Sequence, residues 1–263
     1  GVVTRPHTIE EHLRVRRDAG RKLLVPYLSG GLGDDWVRVV EAVAAAGADA
    51  VEIGIPFSDP VMDGPVIQEA SQRALAGGAT PGSILAGLAK ADVDVPLVVM
   101  TYYNIVFRAG HRRFARSLVE QGVSGAIVPD LPLIELDGWA EAAGDAGVET
   151  VLLAAPNTPD PTLTEICRRS QGWVYGVAVM GVTGERVSLA STATVLGRRL
   201  KAATDKPVLL GVGVSTPEQA TEAVTDADGV IVGSALVRRI LEGAGPDGAA
   251  SFVAELRAGL DGT

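Results

Sequence analysis

Cysteine and positive charge are both scarce in this sequence of 263 residues. Cys167 is the only cysteine, so no disulfide framework can form, and we expect a reducing compartment, the cytoplasm. The formal net charge of −9 argues against non-specific binding to nucleic acid or to an anionic membrane, because both require a basic surface. No apolar run approaches the roughly 20 residues of a membrane-spanning helix, and residues 1–20 are too charged for a signal peptide.

A short β-branched run, a turn with glycine or proline and an alanine-rich helical stretch repeat along the chain. Continuous apolar runs of this kind are typical of parallel strands that are covered on both faces. About eight such units predict a single (β/α)8 TIM barrel domain, residues 1–263, with an extra N-terminal helix across the barrel bottom. A doubly wound sheet is the alternative. The strand-like runs are residues 23–27, 49–54, 96–102, 125–130, 149–155, 173–179, 207–213 and 228–234.

The loops after the strands are the expected location of function, because barrel enzymes carry their active sites at that end. The loops at residues 55–64 and 180–191 are longer than the usual 2–6 residues of such connections. Their length predicts binding elements or lids.

Glu52 interrupts the second apolar run. Side chains alternate along a strand, so Ala50, Glu52 and Gly54 share one face, whereas Val51 and Ile53 share the other. The apolar pair is expected to face the helices, which directs Glu52 into the barrel mouth between two small neighbours. Partial burial there would raise the pKa of the carboxyl toward the range that suits acid–base catalysis. The alternative is a glutamate that only accepts hydrogen bonds from nearby loop amides.

Two further carboxylates, Asp59 and Asp63, lie in the loop after this strand. Asp63 precedes a helix expected to begin near Pro65, and an aspartate beside Gly-Pro is often a turn or N-cap residue. Asp59, before Pro60, similarly predicts an Asx turn. The residue types alone support a structural and a catalytic role for Asp63 about equally.

Glycines end the last three strand-like runs, in GVTG (181–184), GVGVS (211–215) and VGSA (232–235). Backbone N–H groups after the seventh and eighth strands of a barrel commonly bind phosphate, together with the start of a short helix. Glycine is also ordinary in turns. Its presence at three neighbouring strand ends nevertheless predicts a phosphorylated ligand.

Lysine, histidine and metal ligands are missing from the predicted mouth. The lysines precede strands or fall on predicted helices, so none can form a Schiff base there. The histidines lie in the N-terminal segment or at a helix start, and no cluster has convincing metal-ligand spacing. The mouth therefore offers carboxylates, tyrosines and amides, which predicts metal-free acid–base chemistry. The excluded residues are Lys22, Lys90, Lys201, Lys206, His7, His12 and His111.

Residues at the ends of the third, fourth and sixth runs could form a wall for a flat aromatic ligand. Tyr175 alternates with Trp173 and Val177, although an aromatic side chain that fills a barrel layer would give the same pattern. The other residues expected to line this pocket are Met100, Tyr102, Asn104 and Asp130.

The sequence ADAVEIGIPFSDPVMDGPVIQ (48–68) closely resembles the signature of the tryptophan synthase alpha chain family. MTYYN, GVTG, GVGVS and VGSA follow in the expected order and spacing, so the resemblance covers essentially the whole chain. It implies a barrel that cleaves indole-3-glycerol phosphate, by a retro-aldol reaction, to indole and glyceraldehyde 3-phosphate. It also implies an α2β2 heterotetramer in which the β chain, and not this chain, carries pyridoxal phosphate.

The resemblance also assigns roles by position. Glu52 and Asp63 would be catalytic, with Glu52 moving protons at indole C3 and at the glycerol hydroxyl, and Asp63 holding the indole N–H. Pro56 and Asp59 would signal to the β chain, and Thr183 would belong to a loop that orders over the substrate. The implied substrate-binding residues are Tyr27, Met100, Tyr102, Ile127, Asp130, Tyr175 and Thr183. The implied phosphate-binding residues are Gly184, Gly213, Gly233 and Ser234.

Two alternative functions stay open for a sequence of this kind. Another phosphate-binding barrel, such as a sugar-phosphate isomerase or epimerase, would share the glycine pattern but usually carries a catalytic histidine or a metal. A non-catalytic barrel that only activates a partner would have lost Glu52 or Asp63, and both are present.

Overall fold

Eight short strands form the centre of the molecule in this computed structural model, which describes residues 8–178 and 189–262. Each strand has three to seven residues, a usual length for strands in globular proteins. The strands are β1 (Leu23–Ser29), β2 (Val51–Gly54), β3 (Leu97–Met100), β4 (Gly125–Ile127), β5 (Glu149–Ala154), β6 (Val174–Val177), β7 (Val208–Gly211) and β8 (Gly229–Val232).

The strands pair in chain order, all parallel, and β8 pairs back onto β1, which closes the sheet. This topology confirms the predicted (β/α)8 barrel. The doubly wound alternative is wrong, because an open sheet would leave its edge strands unpaired. The strands are shorter than the apolar runs that predicted them. The run 96–102, for example, leaves the sheet after Met100 because Tyr102 already caps the next helix.

Helices surround the barrel, and β2, β3 and β8 are each followed by two of them. Among the described residues, no helix is both long and apolar enough to cross a membrane. The helices are α1 (Ile9–Asp18), α2 (Trp36–Ala45), α3 (Pro65–Ala76), α4 (Pro81–Lys90), α5 (Tyr103–Ala109), α6 (His111–Glu120), α7 (Asp137–Ala146), α8 (Asp160–Arg169), α9 (Leu189–Ala203), α10 (Pro217–Ala223), α11 (Ser234–Leu241) and α12 (Gly245–Asp261).

Two hydrophobic cores follow from the alternation of side chains along the strands. Val51 and Ile53 of β2 belong to the outer core, between the barrel and its helices. Ala50, just before β2, belongs to the inner core with barrel-lining residues such as Val98 and Leu209. The predicted division of β2 into a helix-facing side and a barrel-facing side is therefore confirmed.

Helix α1 closes the amino-terminal end of the barrel, as predicted. Its residues Ile9 and Leu13 are fully buried in the inner core. The Glu149 carboxylate, at the start of β5, accepts hydrogen bonds from the N–H groups of Ile9 (2.6 Å) and Glu10 (3.1 Å). A carboxylate at this position satisfies helix N–H groups that have no partner within the helix and complements the helix dipole.

Asp49 anchors the same end of the barrel from the position before β2. Its fully buried carboxylate accepts hydrogen bonds from Arg16 and Arg21 (both 2.7 Å), from Arg257 (3.2 Å) and from the Leu24 N–H (2.8 Å). These bonds join α1, β1 and α12. The barrel bottom is thus held by one buried anion that several cations share.

We expect Asp49→Ala to lower the free energy of unfolding by about 3–5 kcal/mol, because it removes the one buried anion that Arg16, Arg21 and Arg257 share. Urea unfolding at pH 7 measures the change. The matched control is Asp18→Ala, which removes an exposed carboxylate paired with Arg17 and should cost no more than about 1 kcal/mol. Equal losses in the two variants would contradict the anchoring role.

Candidate active site

The carboxyl-terminal end of the barrel opens into a cavity of about 710 Å³. Its lining brings together five of the residues predicted from the sequence to act on a substrate. These residues are Tyr27, Glu52, Asp63, Met100 and Tyr175. The first and last strands of the barrel meet at this mouth, so residues far apart in sequence converge there.

Glu52 is fully buried at the floor of the cavity, on the barrel-facing side of β2. Neither of its carboxylate oxygens has a hydrogen-bond partner among the described residues. The alternative of a glutamate bonded to loop amides is therefore wrong for this part of the chain. Burial, with the nearby Asp63 carboxylate adding to it, raises the pKa of Glu52 to about 8.

The register of the barrel surrounds Glu52 with Tyr27 of β1 and Val98 of β3 as its direct strand neighbours. Gly54, two residues along β2, lies against the Tyr27 hydroxyl, where a Cβ atom would collide with it. A residue without a side chain at position 54 therefore leaves space for the tyrosine. Burial raises the pKa of Tyr27 as well, and the neighbouring Asp63 and Glu52 carboxylates add to the effect.

Asp63 occupies the loop after β2, one residue before the Gly64 N-cap of α3. Its carboxylate does not cap that helix, so the N-cap alternative is wrong. Instead, the Tyr102 hydroxyl donates a hydrogen bond to Asp63 Oδ2 at 3.0 Å, and the Met62 N–H donates to the same hydroxyl oxygen at 3.0 Å. Burial raises the pKa of Asp63, whereas the bond from Tyr102 lowers it.

Tyr102 does not line the cavity but contacts Asp63, which does. Its ring stacks on Phe57 of the β2 loop, with 5.1 Å between centroids, and only 6% of the residue is exposed. The predicted role in the pocket wall is therefore wrong for its ring. Through its hydroxyl, Tyr102 fixes the carboxylate of Asp63.

Tyr175 of β6 lines the cavity, although it also belongs to the inner core. The ring lies against Gly211 of β7, where a Cβ atom would come within 2.8 Å of it. Burial raises the pKa of Tyr175 well above its ordinary value, so the hydroxyl stays protonated at neutral pH. Tyr175 therefore belongs both to the cavity wall and to the inner core, the two positions that its sequence pattern allowed.

Three other predicted pocket residues lie elsewhere. Ile127 of β4 is fully buried in the inner core and does not reach the cavity surface. The Asp130 carboxylate accepts a hydrogen bond from the Tyr103 N–H (2.8 Å) at the start of α5, away from the cavity lining. Asn104 lines a second cavity of about 590 Å³. Helix α5 begins immediately after Tyr102, which places Asn104 in the first turn of that helix and at the second cavity.

Pro56 and Asp59 lie on the loop that carries Asp63. Pro56 is buried and lines the second cavity, together with Phe57. Asp59 is exposed, and its carboxylate bonds to no other described residue, so the predicted Asx turn does not form. The β2 loop therefore contributes residues to both cavities, Asp63 to the first and Pro56 and Phe57 to the second.

The predicted phosphate-binding residues Gly213, Gly233 and Ser234 line the first cavity where β7 and β8 end. Gly213 has a φ of 76°, a conformation that favours glycine. Gly233 is the N-cap of α11, and no side chain caps that helix, so its first N–H groups have no side-chain acceptor. Thr183 and Gly184, also predicted to bind substrate and phosphate, lie outside the described residues.

Several lining residues were not predicted. Met62, Gly64 and Ile67 enter with the β2 loop and α3, and their contribution follows only from how that loop folds. Arg238 lies on α11, and Glu242 is the C-cap of that helix. They follow Ser234 at intervals of four residues, and that spacing could have identified them, since it places side chains on one face of a helix.

Among the described residues, the site combines a carboxyl group without a hydrogen-bond partner and one fixed by a tyrosine with apolar walls and with the N–H groups at the start of α11, which no side chain caps. Such a pair suits proton transfer by one group and charge stabilisation by the other. Within residues 8–178 and 189–262, no group of three or more histidine, cysteine, aspartate or glutamate side chains could hold a metal ion.

Comparison with known proteins identifies the family. The family model described as tryptophan synthase alpha chain matches residues 13–258. The alpha chain of Streptomyces coelicolor is 42% identical over 262 residues, which cover 97% of each chain. That of Halorhodospira halophila is 44% identical over 255 residues, covering 94% of this chain and 91% of the relative.

Solved structures agree with the sequence relatives. The tryptophan synthase alpha subunit of Legionella pneumophila has a TM-score of 0.89 at 31% identity, with coverage of 97% of this chain and 98% of that one. A chain of Mycobacterium tuberculosis tryptophan synthase has a TM-score of 0.86 at 37% identity, with coverage of 96% and 97%. The chain therefore belongs to the tryptophan synthase alpha chain family and is a lyase of tryptophan biosynthesis.

Proposed function

We propose that Glu52 and Asp63 carry out the alpha reaction in the first cavity. In this reaction indole-3-glycerol phosphate is cleaved to indole and D-glyceraldehyde 3-phosphate. The assignment rests on the surroundings of Glu52. Its carboxyl group is fully buried and has no hydrogen-bond partner among the described residues. Burial and the nearby Asp63 carboxyl raise its pKa to about 8. A non-catalytic barrel gives such a carboxyl no function. A sugar-phosphate isomerase could also use it as a base, but the relatives of this chain are tryptophan synthase alpha chains and give that alternative no support.

Glu52 supplies and recovers one proton in the proposed mechanism. Direct cleavage would expel an indole carbanion, which is a poor leaving group, so C3 of the indole is protonated first. With a pKa of about 8, Glu52 holds a proton at neutral pH and can donate it to C3. The resulting carboxylate then accepts the proton of the glycerol hydroxyl as that carbon becomes the aldehyde. The carbon–carbon electron pair returns to the ring, and Glu52 ends protonated.

Asp63 stabilises the intermediate of this mechanism. Protonation at C3 places positive charge on the indole nitrogen, and a carboxylate that accepts the N–H hydrogen bond lowers the energy of that species. The Tyr102 hydrogen bond opposes the effect of burial on the pKa of Asp63 and so favours its ionised form. Tyr27, Met100 and Tyr175 would flank the indole ring, as the resemblance implies.

The phosphate group would lie against Gly213, Gly233 and Ser234, which follow β7 and β8. The N–H groups at the start of α11 have no side-chain acceptor, and the positive end of the helix dipole favours an anion. Backbone amides bind a phosphate without adding a base that would compete with Glu52. Thr183 and Gly184 would complete the site by the resemblance.

No step of this mechanism needs a cofactor in this chain. Proton transfers by carboxyl groups are sufficient, and pyridoxal phosphate would belong to a separate β chain, as the resemblance implies. We also retain the prediction of an enzyme that works in the cytoplasm as one domain.

The proposed partner is that β chain, in an α2β2 assembly that receives the indole. The β2 loop offers a route for signalling, since Pro56 and Phe57 line the second cavity while Asp63 lines the first. Phe107, 66% exposed, lies on α5, the helix whose Asn104 and Arg108 line the second cavity, and a partner there would cover it. Asp59, exposed and unbonded in the described chain, is free to contact the same partner.

The decisive experiment measures indole release from indole-3-glycerol phosphate by the purified chain while a tryptophan synthase β chain is titrated in. We expect release that increases with the β chain and saturates at a one-to-one ratio of chains. Absence of release at every ratio would contradict the function. Release that does not respond to the β chain would contradict the partner alone.

A further inference from the structure

The cationic side chains at the phosphate end of the cavity have no role in the mechanism above. Among the described residues that line the cavity, the cations are Arg238 and Arg239, and the carboxyl groups are Glu52, Asp63 and Glu242. The chain as a whole carries a net charge of −9. A phosphate monoester, close to a dianion at neutral pH, therefore approaches a surface that repels it unless a local cation compensates.

The two arginines differ in what they contact. The Arg239 guanidinium lies 4.1 Å from the centroid of the Phe252 ring, a cation–π contact that holds it against α12. Arg238 makes no ion pair or hydrogen bond with any residue of the described ranges, and it is exposed at the cavity rim. Arg238 is therefore the cation that is free to bind an incoming anion.

The geometry of α11 directs Arg238 toward the phosphate position. Arg238 follows Ser234 by four residues, so the two side chains lie on one face of the helix, about 6 Å apart along its axis. Side chains of a helix lean toward its N-terminus, and a long side chain at this position covers the turn that precedes it. A guanidinium on this face can approach the first turn of α11, whose N–H groups no side chain of the described residues caps.

We infer that Arg238 binds the phosphate group of the substrate with its guanidinium, adding a formal positive charge to a site otherwise made of backbone amides. This inference rests on the phosphate site of the proposed function. Arginine presents parallel N–H donors that match two phosphate oxygens, so the contact supplies orientation as well as charge. Because Arg238 would contact the phosphate and not the reacting carbon, it affects substrate binding and association and not the chemical step.

The test compares Arg238→Gln and Arg238→Lys with the wild type in the complex with the β chain. The matched control is Arg38→Gln, which removes an exposed arginine of α2 that has no described partner and does not line the cavity. We expect Arg238→Gln to raise KM about three- to tenfold with kcat changed by less than about twofold. Arg238→Lys should lie between it and the wild type, and Arg38→Gln should match the wild type.

Two further readouts separate a phosphate contact from a general structural effect. Inhibition by sn-glycerol 3-phosphate should weaken by the same factor as KM in Arg238→Gln, whereas inhibition by indole should stay unchanged. The rise of KM with sodium chloride should also be smaller in this variant, because one screened charge has been removed. Equal KM values in Arg238→Gln and Arg38→Gln, or an equal loss of indole inhibition, would overturn the inference.

The role of Arg238 can be tested even if the proposed function fails. If the wild type releases no indole, calorimetric titration with sn-glycerol 3-phosphate still compares the four proteins directly. Three- to tenfold weaker binding to Arg238→Gln, with Arg238→Lys between it and the wild type and Arg38→Gln unchanged, would support the arginine, and equal binding to all four would refute it.

Discussion

Substitution of Glu52 by glutamine lowers kcat for indole release by about a thousandfold or more, while the β chain still binds. General acid–base catalysis by a positioned carboxyl accounts for about 10²–10⁴ in rate, and here one group serves two proton transfers in the same turnover. Glutamine has the same shape as a protonated glutamate but can neither donate nor recover a proton. Single-turnover release of indole, measured with the β chain present, gives the ratio of rates.

The control for this variant is its stability as a function of pH. In the unfolded chain Glu52 ionises at its ordinary pKa of 4.5, whereas in the folded chain it keeps its proton up to about 8. The unfolded state thus binds fewer protons between these values, and the wild type loses stability as pH rises from 4.5 to 8. Glu52→Gln lacks this loss, so its melting temperature should increasingly exceed that of the wild type between pH 5 and pH 8.

Two results would contradict this account of Glu52. Turnover near the wild-type rate would show that another group moves the protons. An inactive variant that also melts well below the wild type at pH 8 would show that the glutamate stabilises the barrel instead.

Asp63→Asn is expected to lower kcat by about 10²–10³, because the amide no longer offers a negative charge to the positively charged indole intermediate. The matched variant is Tyr102→Phe, which keeps the carboxylate but removes the hydrogen bond that orients it. Loss of one such bond is worth about 1.5–3 kcal/mol at a charged group, an upper limit near a hundredfold, and we expect about tenfold. Steady-state kinetics at pH 7.5 measure both effects.

Tyr102→Phe also changes the pH dependence in a defined direction. The Tyr102 hydrogen bond lowers the pKa of Asp63, so its removal lets burial raise that pKa further. Activity of Tyr102→Phe should therefore fall at a higher pH than that of the wild type as the solution is made more acidic. A larger loss of kcat in Tyr102→Phe than in Asp63→Asn would contradict the assignment of Asp63 as the catalytic group and of Tyr102 as the residue that positions it.

The barrel and the position of Glu52 could be predicted from the sequence because both depend on local periodicity. Strand alternation fixes which side of β2 carries Glu52, and a closed parallel barrel leaves only one apolar interior for that side to face. The same argument placed Tyr175 at the mouth. Alternation gives the face of the strand but not the depth along the barrel, which is why Ile127 of β4 faces the interior and yet lies below the cavity lining.

Residues just beyond the strands could not be located in this way. Tyr102, Asn104 and Asp130 follow strand ends, and the direction of their side chains depends on where α5 begins and on what packs against it. Asp63 illustrates the same limit, since its contact with Tyr102 joins positions 39 residues apart. Such contacts arise from tertiary packing, which the periodicity of one segment does not contain.

In the proposed mechanism the barrel keeps Glu52 protonated at neutral pH, so that it can donate a proton to C3 of the indole. A carbon-13 NMR titration of the Glu52 carboxyl, assigned by its absence from Glu52→Gln, tests this claim most directly. The account predicts a titration midpoint near pH 8 in the folded chain. A midpoint near the ordinary value of 4.5 would mean that the carboxyl is solvated and ionised at neutral pH, and it would contradict the mechanism.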